Sequence, residues 1–213
     1  MPLPGDVKTV AQRLRAARLN SQEDRVRCHV LRRFALGLIP SVTALAVQSQ
    51  IPPADVRQIL RRLAGLDLLI LDPAGETVLA AYPFSSSPTA HRVLLKGRQA
   101  YALCAVDALG IPAMLQEEAG IVSRCAHCGS QVEIQASPDQ VTRYLPGGAV
   151  VWFPISEDEC CPVAESRCPD IGFFCTRDHL EAWHRGKGQP PGVVLSVHEA
   201  FAAGQEIFGA LLT

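Results

Sequence analysis

Apolar residues recur at Val56, Ile59, Leu60 and Leu63, the i, i+3, i+4, i+7 spacing of one buried helix face, while Arg57, Arg61 and Arg62 point away from it. Upstream, VLRRFALGLI opens a helical pattern that ends near Pro40, and Ser41 is placed to cap a further helix over SVTALAVQSQ. Downstream the period changes. LLILDPAGETVLAAY reads as two short strands around a turn holding Asp72, Pro73 and Gly75. Helix, turn, helix, hairpin is the order of a winged helix, so residues 1–84 are expected to form a winged-helix-like N-terminal domain.

The Ser/Pro-rich stretch YPFSSSPTAHRV marks a boundary near residues 84–90. Beyond it, residues 85–213 are expected to form a mixed domain of short antiparallel sheets and helices, making the chain α+β. RQAYALCAVDALGIPAML predicts a helix that Gly110 and Pro112 interrupt. GIVSRC and SQVEIQA predict strands flanking the CAHCG turn, and GAVVWFPI predicts another. Thr176 can cap RDHLEAWHR, and GVVLSVHEAFAAGQEIFGALL reads as a strand entering a helix, with Ser196 and Glu199 spaced as a capping box.

Of the 213 residues, 48% are hydrophobic and 19% charged, enough to build a real core. No run approaches the roughly 18 apolar residues of a membrane span, and the first residues lack the apolar core of a secretory signal. A cytoplasmic protein with no membrane partner is therefore expected. In that compartment the eight cysteines are expected to be buried thiols, metal ligands or reactive groups and not a disulfide framework. The net charge of -1 conceals an asymmetry: residues 1–65 carry eleven Lys/Arg against four Asp/Glu, and the remainder nine against seventeen. The basic third can face nucleic acid or dock on the acidic remainder. Nothing resembles a P-loop, a GxGxxG turn or a nucleophile elbow.

Cys104 and Asp107 lie three residues apart in YALCAVDAL, so on a helix both reach one small ligand. A buried thiol with a loop-capping carboxylate is the plainer reading, but a carboxylate buried without a partner is costly. Cys160, Cys161, Cys168 and Cys175 form a dense second group, and soft thiolates select zinc, copper(I) or a heavier thiophilic ion. The CAHCG turn supplies Cys125 and Cys128 with the spacing of two ligands of a tetrahedral zinc site. Cys160 with Cys161, or one of them with Cys175 or His127, can complete it, against the alternative of free buried thiols. His179, His184 and His198 read as structural.

LCAVDAL, CPDIGFF and LSVHEAFAAGQEIFGALL, set behind a winged-helix-like module, together resemble the alkylmercury (organomercurial) lyases over residues 26–213. The resemblance implies cleavage of a carbon–mercury bond to a hydrocarbon and Hg(II), using two cysteines and one aspartate and no organic cofactor. By motif, those residues fall on Cys104, Asp107 and Cys168, which would catalyse the reaction and hold the mercury. It implies an organomercurial substrate, cellular thiols, and mercuric reductase as an acceptor of the product. The chain also departs from the family. Pro169 stands where some members have a cysteine, Cys128, Cys160, Cys161 and Cys175 are additional, and Cys125 falls on a family position that is structural. These departures leave two outcomes open: a lyase stabilised by zinc at Cys125, Cys128, Cys160 and Cys161, or a zinc- or heavy-metal-binding regulator contacting DNA through its winged helix. Action on a different carbon–heteroatom bond is a third.

Overall fold

The N-terminal third is helical from further upstream than the apolar pattern alone marks. A computed structural model describes residues 10–155, 168–187 and 191–212, beginning with α1 (Val10–Ala17) and α2 (Ser21–Ala35). Asn20 starts α2: its side chain accepts from the N–H groups of Gln22 and Glu23, and Glu23 reciprocates to the Asn20 N–H. Ser41 caps α3 (Val42–Ser49) as expected, and α4 (Pro53–Gly65) buries the stripe of Val56, Ile59, Leu60 and Leu63. Next come β1 (Leu69–Leu71) and β2 (Val78–Ala81), paired antiparallel. Their turn is held by Asp72, which accepts from the N–H groups of Glu76 and Thr77, and by Gly75 at φ +73°.

β3 (Phe84–Ser85), β4 (His91–Leu95) and β5 (Arg98–Ala102) extend the same sheet. The helix expected from Arg98 onward begins instead at Ala105. Residues 98–102 follow period 2, with Ala100 and Ala102 buried, and pair with β4 on one side and β3 on the other. The helix α5 (Ala105–Leu115) then runs through Gly110 and Pro112 without interruption. It is buried from Ala105 to Met114, and packing outweighs the local breakers.

β6 (Ala119–Arg124) and β7 (Gln131–Ala136) flank the CAHCG turn, followed by β8 (Val141–Leu145) and β9 (Val150–Pro154). A 3-10 turn at Cys168–Asp170 leads to β10 (Phe173–Phe174) and α6 (Arg177–Lys187). β11 (Gly192–Ser196) enters α7 (Val197–Phe208) through the expected Ser196–Glu199 capping box. One antiparallel sheet has the order β1-β2-β3-β5-β4-β6-β7-β8, and a second the order β10-β9-β11, so the α+β class holds. Among the described residues no helix is long and apolar enough to cross a membrane.

α5 and α7 cross at Gly110 and Gly204. A Cβ on Gly204 would stand 2.7 Å from the Gly110 nitrogen and 2.8 Å from the Val106 oxygen. The main core runs from Val26 to Leu211 and includes Cys104 and Cys168. A smaller one gathers Cys125, Trp152, Phe174, Cys175, Leu180 and Trp183. β10 joins them, because consecutive strand residues face opposite ways: Phe173 enters the main core and Phe174 the smaller one.

Candidate functional site

Cys104 is the N-cap of α5, one position before the helix, and not a residue within it. Its extended backbone, at φ -147°, continues from β5, and its Sγ accepts from the Asp107 N–H at 3.3 Å. A thiol cap and the third helical residue still meet, so the predicted pairing survives the change of element. Cys168 arrives from 61 residues further along the chain. The Ala105 N–H donates to the Ile171 carbonyl at 3.1 Å, and the Ile171 N–H to the Cys168 carbonyl at 3.2 Å. These two bonds tie the 3-10 turn to the start of α5.

The Cys168 thiol points at Asp107 Oδ2, at 3.7 Å. One ligand atom from each of Cys104, Asp107 and Cys168 lies within 4.8 Å of the others. Their exposures are 1%, 5% and 4%, so all three are shielded from solvent. Burial pushes the Asp107 carboxyl up to about 7, overcoming the opposing hydrogen bonds from both thiols and from the backbone N–H. The same burial, with the Cys168 hydrogen bond and the neighbouring carboxylate, holds the Cys104 thiol well above its usual range. At Cys168 the Cys104 hydrogen bond favours the thiolate, but burial and Asp107 together outweigh it and raise that thiol too. The site therefore combines two soft donors with a carboxyl able to hold or release a proton near neutrality.

A second group lies on the other side of β10. One ligand atom each from Cys125, Cys128, Cys175 and His179 lies within 4.8 Å of the rest. Cys125 and Cys128 meet here as the CxxC spacing predicts. Cys160 and Cys161 lie outside the described residues. Cys175 joins the pair, while His127 stands outside the set, its ring 5.2 Å from that of His179. His179, read from sequence as structural, occupies the fourth place. Cys175 and His179 are four residues apart across the start of α6, a spacing that sets two side chains on one side of a helix entrance. His184 and His198 fit their structural reading, edge-on to Trp152 at 5.0 Å and Tyr144 at 5.6 Å.

The alkylmercury lyase family profile matches residues 84–209. An alkylmercury lyase of Staphylococcus epidermidis is 31% identical over 178 residues, covering 84% of this chain and 79% of that one. One from Bacillus cereus is 28% identical over 176 residues, 83% of this chain and 77% of the relative. The crystal structure of the mercury-bound form of MerB2 superposes with a TM-score of 0.79 at 21% identity, covering 97% of this chain and 100% of that one. This last likeness is one of fold.

Proposed function

The chain belongs to the alkylmercury lyase family, and we propose that Cys104, Asp107 and Cys168 carry its reaction, protonolysis of a carbon–mercury bond to a hydrocarbon and Hg(II). The observation that carries the assignment is the convergence of two buried thiols and one buried carboxyl from segments 61 residues apart.

The substrate reaches the site as an alkyl- or arylmercury thiolate. Mercury is soft, so exchange onto a protein sulfur is favourable: Cys104 forms an S–Hg bond, and its proton leaves with the displaced thiol. Cys168 gives its proton to Asp107 and adds a second S–Hg bond. Electron density from two thiolates moves onto the carbon, and the carbon–mercury electron pair takes the proton that Asp107 now holds. The hydrocarbon departs, and Hg(II) stays on two sulfurs until external thiols remove it. One thiol proton has gone to the displaced thiol and one to carbon, so no oxidant or reductant is needed. The raised carboxyl pKa suits this task, because a carboxylate of ordinary basicity would take a thiol proton poorly, whereas one near 7 accepts it more readily and can still pass it to carbon. The requirement for reduced thiols favours a cytoplasmic setting, with mercuric reductase as an acceptor of the released ion.

We read α2, α3, α4 and the β1–β2 hairpin as the winged-helix-like module expected from sequence, used here for packing. Two of its outward arginines are engaged within the chain: Arg57 pairs with Glu76 at 2.6 Å, and Arg62 with Glu23. That pairing disfavours the DNA-contacting regulator, which needs those cations for phosphates.

Purified protein given phenylmercury and excess thiol in D2O tests the reaction. Mass spectrometry of the headspace is expected to find singly deuterated benzene, because the transferred proton comes from exchangeable groups. Undeuterated benzene or biphenyl would contradict protonolysis.

A further inference from the structure

We propose that Cys125, Cys128, Cys175 and His179 form a closed, tetrahedral zinc site that fastens β10 to the CAHCG turn. Three cysteines and one histidine are a donor set of structural zinc, and four protein ligands leave no position open for catalysis. The separations fit. Zinc bonds of about 2.3 Å to sulfur and 2.0–2.1 Å to nitrogen give tetrahedral edges of ~3.8 Å between sulfurs and ~3.6 Å between sulfur and nitrogen. Cys128 Sγ and Cys175 Sγ are 3.5 Å apart, and Cys125 Sγ is 3.7 Å from His179 Nδ1.

The backbone around the CxxC pair is already shaped to present two sulfurs to one centre. The Cys125 carbonyl accepts from the Gly129 N–H at 2.9 Å, closing the turn, and Gly129 sits at φ +75°, where a side chain is disfavoured. The Cys125 N–H donates to the Ser130 carbonyl at 2.8 Å, joining the turn to the start of β7. The other two ligands are set by separate elements. Cys175 directly follows β10, and the His179 N–H donates to the Thr176 hydroxyl at 3.3 Å in the first turn of α6. A linear two-coordinate preference makes mercury a poor match for four donors arranged this way, whereas zinc has no competing geometric preference.

The position of the site gives it a purpose. The Ala126 N–H donates to the Phe173 carbonyl at 2.9 Å, so the turn and β10 are already in register beside the cluster. Crosslinking Cys175 to Cys125 and Cys128 through zinc holds that strand, and with it the 3-10 turn carrying Cys168. This positional consequence rests on the catalytic role proposed for Cys168; the zinc site itself does not.

Protein purified without added metal and dialysed against chelator-treated buffer is analysed by plasma mass spectrometry. About one zinc per chain is expected in the parent and in Cys104→Ser, and roughly a tenth of that or less in Cys128→Ala and His179→Ala. Because those two variants could fail to fold, cobalt(II) is also added to chelator-stripped parent protein. Intense thiolate-to-cobalt charge transfer with tetrahedral d–d bands is expected. Absence of zinc from the parent together with absence of those bands overturns the proposal, as does zinc that persists in both cluster variants but disappears from Cys104→Ser. Metal content is read without activity, so a zinc-loaded protein releasing no hydrocarbon would defeat the lyase assignment and leave this one standing.

Discussion

Asp107 carries two opposing influences. It lies in the first turn of α5, where the helix dipole and the hydrogen bonds it accepts favour the carboxylate, yet burial wins and sets its pKa to about 7. The folded state therefore binds this proton more tightly than the unfolded state does. Its contribution to stability is complete at pH values below the ordinary carboxylate range and is lost as pH rises through about 7. Urea unfolding from pH 4 to 8 is expected to show Asp107→Asn with a flatter pH dependence than the parent; identical slopes would contradict the raised pKa. The chemistry has the opposite sign, because Asp107 must be ionised to take the Cys168 proton. Single-turnover hydrocarbon release from organomercury-loaded protein should rise with pH, approaching tenfold per unit well below about 7 and levelling off above it, and Asp107→Asn should slow it by about 10²–10⁴. The three residues proposed to react are legible together because their motifs resemble those of a known family; the Cys104–Asp107 spacing alone leaves the plainer reading of a buried thiol open. From sequence, Cys175 is one of several candidates to complete the CxxC pair and His179 reads as structural, because only β10 and α6 bring those distant segments together.

Caps and turns were the most legible features at the level of elements. Ser41, the Asp72–Gly75 turn and the Ser196–Glu199 box each act within a few residues and need no distant partner. The start of α5 was harder to read, because AYALCAV is apolar at nearly every position and suits a buried strand or a buried helix equally well. Sheet pairing decides for the strand as far as Ala102. Gly110 and Pro112 read as breakers for the same reason: Gly204, against which Gly110 packs, is far away in sequence. That crossing has no room for a methyl group. Gly204→Ala is expected to cost about 1–3 kcal/mol and to lower Tm by roughly 2–4 °C for each kcal/mol, measured by thermal unfolding. A variant as stable as the parent would mean that the two helices separate without penalty.

The whole molecule shares one sheet and one main core across the Ser/Pro-rich stretch, which contains β3 and leads into β4. Its serines and prolines signal a connection, but the pairing of β3 with both β2 and β5 depends on strands on either side of it. Further ties cross the same region: the Arg98 side chain donates to the Ala35 carbonyl at 2.8 Å, and Phe34 stacks on Phe84 at 5.9 Å. A fragment of residues 85–213 would expose the core face that α2 and β2 cover. It is expected to show no cooperative thermal transition, and a sharp transition with native-like circular dichroism would contradict this account of the core. The charge asymmetry also resolves at this scale, in part through pairs that cross it, Arg57 with Glu76 and Arg13 with Asp67.

The central claim is that Cys104, Asp107 and Cys168 act as one unit on the carbon–mercury bond. Its most direct test is the rate of benzene release from phenylmercury, in excess thiol, by the parent and by Cys104→Ser, Asp107→Asn and Cys168→Ser, each first shown to be folded. The account predicts that every variant loses at least about 10² in rate, because removing either sulfur or the proton donor stops the same step. A parental rate in any one of the three would contradict it.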